Sequence, residues 1–399
     1  MVSNAYYTLD PRLRRQAEAL TAHGYQVEVL CQREAAEPPE ENIHGVLVRR
    51  IGGLKYRGQS MRTYLRANAG FFARAFVALA RTQIQQRYAA VQVYSMPEAL
   101  VFTALLPRLM GVPLIYDAGD LTTELYSTKF GSNGSRLIAG LLRAQERVCL
   151  RFADLIVTVH EEYRRRLMDR GVPEDRLRVT MNLPDVRLIE TALRTPGPAD
   201  PNVFTLVHHG SLVERYGADL AVRAVARLRD RIPALRLRIY GDGDLRPRLA
   251  ALIQELAVGD RVNLHPAMMP LEDLLPLVAA ADAAIVPHRA DPFTDTILPN
   301  KLLEYLALGL PTVVTRTRTV QWHIPEDTVE YCTPNDVDAM ARAIERVWAQ
   351  PQYRDSLAAR SRAFSQRHSW KEAAAAYCLA VDELVTSRNT AARVPIPVQ

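Results

Sequence analysis

Lys301 and Glu304 stand three residues apart, a spacing that puts both side chains on one face of a helix. A lysine in a first helical turn adds a full charge to the partial positive charge of the free backbone N–H groups, which suits a diphosphate. A carboxylate one turn further on can accept both hydroxyls of a ribose, as acidic residues do in dinucleotide folds. A surface ion pair on an ordinary capped helix uses the same residues, so the pair alone leaves both readings open. Pro299 suits the first helical turn, Gly309 suits the position just past the end and Pro311 prevents continuation. A helix is therefore predicted from about Pro299 to Leu308, leading into a strand.

Other residues carry weaker signals. Gly241-Asp242-Gly243 follows a strand, and a lone Gly-x-Gly is more often a tight turn than a phosphate loop. His208 and His209 stand at a strand end, as does His288 after Pro287, where contact with a ligand is an even or lesser expectation. His160, ahead of Glu161-Glu162, reads as a helix-start or interdomain contact rather than a base. Trp322-His323 reads as packing. Arg62–Arg87 interleaves arginines with Phe71, Phe72, Phe76, Val77 and Leu79. That pattern is first a core-facing helix with a solvated basic face, and second a helix lying on an anionic membrane.

The elements that must position these groups alternate, short β-rich runs with longer helical patterns, which argues for parallel α/β sheets. Strands are predicted at Gln26–Cys31, Val46–Ile51, Val91–Ser95, Pro113–Asp117, Leu155–His160 and Leu177–Met181, and again at Phe204–His209, Leu235–Tyr240, Val262–His265, Ala284–Pro287, Thr312–Thr315 and Val329–Cys332. Between the two series, residues 194–202 hold three prolines and no periodicity, the composition of a linker. Two Rossmann-like domains facing a cleft are expected, residues 1–193 and 203–365. The first series lacks its opening strand beyond Met1-Val2-Ser3. Either that strand is minimal or the natural start lies upstream, and the second reading is preferred. Residues 387–399 read as a frayed tail.

Composition bounds the function. At 399 residues, with 48% hydrophobic and 24% charged residues, the chain can build two domains with their own cores. No apolar run reaches spanning length, and the N-terminus lacks a signal-peptide pattern. The four scattered cysteines, Cys31, Cys149, Cys332 and Cys378, read as reduced structural thiols without metal-ligand spacing, in a cytoplasmic protein. The net charge of +6 is spread along the chain with no basic tail or zinc module, which argues against nucleic acid. Only four lysines occur among the cations, and two of them, Lys129 and Lys301, fall in the stretches singled out here. A compact ammonium is not equivalent to a guanidinium fork.

The segment Asp291–Val314, with its order of Pro, Lys, Glu-Tyr, Ala, Gly and Pro, resembles glycosyltransferase family 4, the retaining enzymes of GT-B fold. Further matches lie at Asp10-Pro11-Arg12 with Gln16-Ala17, at Asp117 through Asp120 to Glu124-Leu125-Tyr126 and Lys129-Phe130-Gly131, at Met181–Asp185, and at His208–Leu212 with Glu214–Gly217. The resemblance implies an α/β fold of two Rossmann-like domains, with residues 366–386 forming a terminal helix that packs back on the first domain. It implies that Glu304 holds the ribose of a nucleotide and that Asp295, Thr296, Ile297, Leu298 and Asn300 face the donor sugar and its phosphates. Arg215 and Lys301 neutralise the leaving diphosphate, Gly210-Ser211 let the backbone approach it, and Gly241 and Gly243 do similar work near the base. Catalytic roles fall to Arg215, Lys301, Asp295 and Glu304, with His288 near the sugar. Asp10, Arg12, Gly119, Asp120, Glu124 and Lys129 form the acceptor side.

The implied reaction moves a hexosyl group from a UDP- or GDP-sugar to a hydroxyl of a glycan or lipid-linked acceptor of the cell envelope. It needs no metal and no cofactor beyond the donor, and is placed in the cytoplasm or peripherally on the inner membrane face. Three departures from the family pattern stand against full activity. Thr296 replaces the first of two glutamates, Tyr216 replaces the usual cation before Gly217, and Gly119 and Tyr94 replace two histidines. A catalytically impaired nucleotide-sugar binder is the alternative reading, and a sugar-nucleotide epimerase on the same fold a more distant one.

Overall fold

The computed structural model describes residues 1–34, 36–52, 61–119, 136–198, 200–265 and 269–391. The chain divides into two compact units, one of residues 1–181 with 371–399 and one of residues 182–370.

The first unit contains helices α1 (Pro11–Ala22), α2 (Met61–Gln86), α3 (Leu105–Leu109), α4 (Arg136–Phe152) and α5 (Glu161–Asp169), and strands β1 (Glu28–Cys31), β2 (Glu40–Ile43), β3 (Val46–Arg50), β4 (Val91–Tyr94), β5 (Leu114–Ala118), β6 (Leu155–Thr158) and β7 (Leu177–Val179). The strands form sheets of order β1-β3-β2 and β4-β5-β6-β7. Val2 bridges Leu30 of β1 and Val93 of β4 in parallel, so residues 1–3 hold the central strand position between the two sheets. The minimal opening strand is thus in the sheet. β2 is an addition to the predicted strands and pairs antiparallel with β3. Its sequence, Glu-Glu-Asn-Ile, has neither β-branched alternation nor an apolar face, so only the turn at His44-Gly45, both at positive φ, marks the hairpin.

The second unit contains α6 (Val186–Arg194), α7 (Ala218–Arg227), α8 (Arg246–Glu255), α9 (Leu271–Ala279), α10 (Asn300–Leu308), α11 (Arg318–His323), α12 (Val337–Ala349) and α13 (Pro351–Arg367), and strands β8 (Phe204–His209), β9 (Leu235–Tyr240), β10 (Val262–Leu264), β11 (Ala283–Val286), β12 (Thr312–Thr315) and β13 (Glu330–Cys332). All six strands are parallel in the order β10-β9-β8-β11-β12-β13. The strand order reverses between β8 and β11, and open sheets of this kind bind ligands beyond the strand ends at such a switch point. The core of this unit joins Leu206, Ile239, Ile285 and Val313 of the sheet to Val222, Leu249 and Ile344 of the helices.

The division differs from the expected one. Residues 182–202 belong to the second unit, because α6 packs on α9 and α10 and the Gly197 N–H donates to the Pro276 carbonyl at 2.8 Å. The proline-rich stretch is therefore a docked connection inside that unit rather than the boundary. From Lys371 onward the last helix, α14 (Trp370–Ala391), belongs to the first unit, where the Tyr377 hydroxyl donates to Gln92 and Tyr25 donates to Asp382. The end of the tail, residues 392–399, lies outside the described residues. All four cysteines are buried, and burial raises each thiol pKa, to about 11 for Cys31 and Cys378 and about 12 for Cys149 and Cys332. Among the described residues no helix is long and apolar enough to cross a membrane.

Candidate functional site

In the second unit the chain leaves β8 at His209 and turns at Gly210, whose φ of 111° suits a residue without Cβ. A Cβ there would stand 3.2 Å from Cε and Nζ of Lys301, so the missing side chain is what lets the ammonium group lie over the backbone. Two further glycines keep this turn close to its neighbour. A Cβ on Gly241 would stand 1.9 Å from the Gly210 carbonyl oxygen, and one on Gly243 2.4 Å from that of Leu212.

Lys301 is in the first turn of α10, which has Pro299 as its N-cap, no side-chain cap, and Gly309 at φ 71° as its C-cap. The proline and the glycine thus bound the helix as their backbone preferences predict. Lys301 is 9% exposed, and its Nζ has no hydrogen-bond partner; it lies 5.2 Å from the centroid of the Tyr216 ring. Burial lowers its pKa to about 8, with the charge of Glu304 acting in the opposite direction. Glu304 is 8% exposed on the same helical face, its Oε2 3.1 Å from Nε2 of His209. The next residue, Tyr305, accepts a 3.0 Å hydrogen bond from the His209 backbone N–H and fixes the end of β8 to α10.

Arg215 is held by a strap. Asp219 receives two hydrogen bonds from Arg289, at 2.8 and 2.6 Å, and the Arg289 N–H donates to the Arg215 carbonyl at 2.9 Å. Gly217 is in left-handed conformation, where a Cβ would stand 1.9 Å from the Pro287 carbonyl oxygen. The Arg215 guanidinium lies over Phe293 at 5.1 Å, its Nη1 buried and without a hydrogen-bond partner, while the adjacent Tyr216 stacks on His288 at 4.7 Å. Tyr216 thus bridges Lys301 and His288, a role that its replacement of the family's cation did not suggest. Burial, then the charge of Lys301, hold His288 and His208 well below the usual histidine pKa, so both are neutral near pH 7. His208 is anchored within the sheet by Nδ1, 3.1 Å from the Ile285 carbonyl.

The loop before α10 is self-contained. Asp291 Oδ1 accepts from the N–H groups of Phe293 and Thr294, both at 2.8 Å, and the Thr296 hydroxyl donates to the Phe293 carbonyl at 2.7 Å. The fully buried Thr296 hydroxyl is therefore committed to the loop. Asp295 has contacts of its own. Its Oδ1 lies 3.4 Å from the Arg318 N–H at the start of α11, and its carbonyl accepts from the Thr319 hydroxyl. Its carboxylate thus has a local helix-start partner. Ile297 and Leu298 are half-buried in the extended link to α10, and Asn300 and Ser211 are exposed. Trp322, expected to be packed, is 53% exposed on α11, a helix of six residues that buries only Thr319 and Val320.

In the first unit the expected acceptor residues divide. Asp10 caps α1 by accepting from the Arg12 and Leu13 N–H groups at 3.1 Å, and burial raises its pKa. Arg12 departs from its assigned role. Its Nε and Nη2 donate to the two oxygens of Asp117 at 2.9 Å and its Nη1 to the Thr180 carbonyl at 2.7 Å, which commits the guanidinium to the interior. Gln16 donates to the same carboxylate and accepts from Gln92 and from the Tyr94 hydroxyl. Sequence patterns hold no sign of such a network, because its members are separated by up to 168 residues. Gly119 follows β5, and a Cβ there would meet Asp117 Oδ1 at 3.6 Å, an ordinary contact. Asp120, Glu124 and Lys129 lie outside the described residues. His160 accepts from the Tyr163 N–H at 3.3 Å as the N-cap of α5, in keeping with a helix-start histidine.

Two family models match the chain, a "glycosyl transferase 4-like domain" over residues 9–182 and "glycosyl transferases group 1" over residues 203–350. The lipopolysaccharide core biosynthesis glycosyltransferase LpsE of Rhizobium meliloti is 34% identical over 164 residues, 41% of this chain and 44% of that protein. The GDP-mannose-dependent alpha-(1-6)-phosphatidylinositol dimannoside mannosyltransferase of Mycobacterium tuberculosis is 31% identical over 189 residues, 47% of this chain and 46% of that protein. The match thus spans a little under half the length of each relative. Among solved structures, Anabaena Alr3699/HepE in complex with UDP and glucose superposes with a TM-score of 0.69 at 16% identity, covering 97% of this chain and 98% of that one, a likeness of fold. Matched by both models, and built as two units with parallel sheets, the chain belongs to the GT-B glycosyltransferases of the family 4 type.

Proposed function

We propose that the protein transfers a hexosyl group from a UDP- or GDP-sugar to a hydroxyl of a glycan or lipid-linked acceptor, with retention of anomeric configuration. One observation carries the reading: the buried Lys301 ammonium has no hydrogen-bond partner, lies over Gly210 in the first turn of α10, and shares a helical face with Glu304. A diphosphate supplies the anion that this arrangement lacks, and Glu304 is spaced to accept the ribose hydroxyls. The UDP complex of the Anabaena neighbour and the GDP-mannose dependence of the mycobacterial relative support a nucleotide-sugar donor without choosing its base.

In the proposed step the bond from the anomeric carbon to the phosphate oxygen breaks as the acceptor oxygen approaches from the same face. The departing phosphate oxygen takes the acceptor proton. Lys301, the α10 N-terminus and Arg215 stabilise the charge that grows on the diphosphate, the work a divalent cation does elsewhere. Transfer is accordingly proposed to be metal-independent and to survive EDTA. A thermal-shift screen with nucleotides and nucleotide sugars tests the site. At about 100 times the dissociation constant a ligand stabilises its protein by about 2.7 kcal/mol, and Glu304→Ala should abolish that rise. No shift with any nucleotide removes the reading.

The impaired-binder alternative is favoured by particular observations. Tyr94 is buried and bonded to Gln16, the Thr296 hydroxyl is committed to its own loop, and Gly119 offers no side chain. Hydrolysis of a bound UDP- or GDP-sugar, or transfer to a glycan extract, decides against it.

A further inference from the structure

His209 is the last residue of β8, and its side chain leaves the strand toward α10. Three contacts fix it there. Its backbone N–H donates to the Tyr305 hydroxyl at 3.0 Å, its ring meets that of Tyr305 edge-on with centroids 5.0 Å apart, and its Nε2 stands 3.1 Å from Oε2 of Glu304. The preceding His208 turns its Nδ1 to the Ile285 carbonyl of the neighbouring strand, so of the two histidines His209 is the one that meets Glu304. Both members of the pair are buried, their side chains 6% and 11% exposed.

This pair differs from a structural fastening. Arg12 and Asp117 are buried too, but they are joined by two aligned hydrogen bonds at 2.9 Å. His209 Nε2 is within ion-pair distance of Glu304 and yet makes no aligned hydrogen bond. A buried imidazole nitrogen left so is costly in a fold that has no further use for it. Hydrogen bonds of catalytic sites often align only once substrate is bound. A carboxylate has two oxygens and about four lone-pair directions, so Oε2 can accept from His209 and from one hydroxyl while Oε1 accepts from another. Glu304 directly precedes Tyr305, so the bond that joins strand to helix also sets the separation of imidazole and carboxylate.

We propose that His209 is a positioning residue for Glu304: its imidazole holds Oε2, fixes the carboxylate plane toward both hydroxyls of a ribose, and so makes the site select ribonucleotides over 2′-deoxyribonucleotides. The inference rests on the reading of Glu304 as the acceptor of the ribose hydroxyls and adds to it the group that keeps the carboxylate in place. A glutamate held only by its own rotamers turns to meet one hydroxyl as readily as two, and loses little when the 2′-hydroxyl is missing. Locked from the side by a second residue, it cannot turn. A deoxyribose then leaves one carboxylate oxygen without its donor, and an unpaired buried acceptor is what makes a site reject the analogue.

Calorimetric affinities of the full chain for UDP, GDP, their 2′-deoxy forms and inorganic pyrophosphate test this. The wild type should bind its preferred ribonucleotide roughly ten- to a hundredfold more tightly than the 2′-deoxy form. His209→Phe keeps a ring against Tyr305 and removes the nitrogen, so that ratio should fall to about twofold while pyrophosphate affinity changes little. His209→Gln returns a donor and should restore most of the ratio. Glu304→Ala, with no carboxylate, marks the floor. Melting temperatures of the free variants report folding, and His209→Leu replaces His209→Phe if the larger ring is not accommodated. A merely structural histidine would move stability and leave the ratio as it was. An undiminished ratio in His209→Phe overturns the proposal, as does a ratio lost as fully in His209→Gln, or a pyrophosphate affinity that falls as far as the nucleotide's. A wild type that binds nucleotides without preferring ribose overturns it and leaves the diphosphate site standing, whereas a wild type that binds no nucleotide removes the donor-site reading itself.

Discussion

Lys301 is best understood through its proton. Burial lowers its pKa to about 8 from the ordinary value of 10.5, so between those values the unfolded chain binds a proton that the folded chain has released. Stability therefore rises with pH across that window, and the penalty for burying the charge is at full size below about pH 8. An anion placed on Nζ raises the pKa again, so binding takes up a proton above pH 8. We expect nucleotide affinity to be level below about pH 8 and to fall by up to about tenfold per pH unit above it. Calorimetry in buffers of different ionisation enthalpy checks the uptake. Lys301→Met should raise the melting temperature of the free protein, by the equivalent of about 1–4 kcal/mol, and eliminate the nucleotide-induced shift. A fall in stability would mean that the ammonium is already satisfied in the free protein.

The buried histidines give the complementary prediction on the acid side. His208 and His288 titrate well below their ordinary value of 6.5, because burial and the Lys301 charge disfavour the imidazolium. The unfolded chain gains protons below about pH 6.5 that the folded chain does not, so stability is complete above that value and lost as pH falls below it. His288→Gln should flatten part of this acid limb in a melting-temperature profile, with its effect confined to the region below about pH 6.5. An unchanged profile would show that the ring carries no titration worth the name.

Elements were legible where punctuation is local and lost where it is not. Pro299, Gly309 and Pro311 predict α10 to within a residue, because a fixed φ, a left-handed φ and a missing N–H act on their own neighbours. The strands of the second sheet were legible for a similar reason, as short β-rich runs between helices. β2 was missed because an exposed edge strand needs no apolar face. Residues 194–202 read as a boundary in the sequence because proline content reports on the backbone and not on what α6 packs against. The positioning role of Tyr216, the strap from Arg289 to Asp219 and the network around Asp117 are contacts between distant residues, with no local pattern to find. At this scale the glycine turn gives a sharp prediction. Gly241→Ala puts a Cβ against the Gly210 backbone carbonyl and requires a φ of 148°, so it should destabilise by about 1–3 kcal/mol and weaken nucleotide binding at the same time. Gly111→Ala, at a positive φ but with nothing within 4 Å, serves as the control for backbone strain alone.

At the scale of the molecule, each unit has its own apolar core, and each also brings charged side chains together in its interior. In the second unit the group around Lys301 is left open: Lys301 Nζ and Arg215 Nη1 have no hydrogen-bonding partners. In the first, the group around Asp117 is closed: Arg12 donates two hydrogen bonds to Asp117, with Gln16, Gln92, Tyr94 and Tyr377 completing the chain from α1 through β4 to α14. An open cationic centre stands ready for a ligand, whereas a closed network fixes elements to one another. Breaking the closed one by Asp117→Ala leaves a buried guanidinium without its counter-charge, which should cost about 3–5 kcal/mol. Amide hydrogen exchange separates the two roles. Asp117→Ala should speed exchange in α1, β4, β5 and the part of α14 within the first unit, and leave β8 and α10 as they were. A bound nucleotide should do the reverse, slowing exchange at the end of β8, at the start of α10 and in the turn of residues 214–217. If Asp117→Ala abolished the nucleotide's protection of β8 and α10 while those elements stayed folded, the closed network would have to act on donor binding, and its role as a purely structural fastening would be wrong.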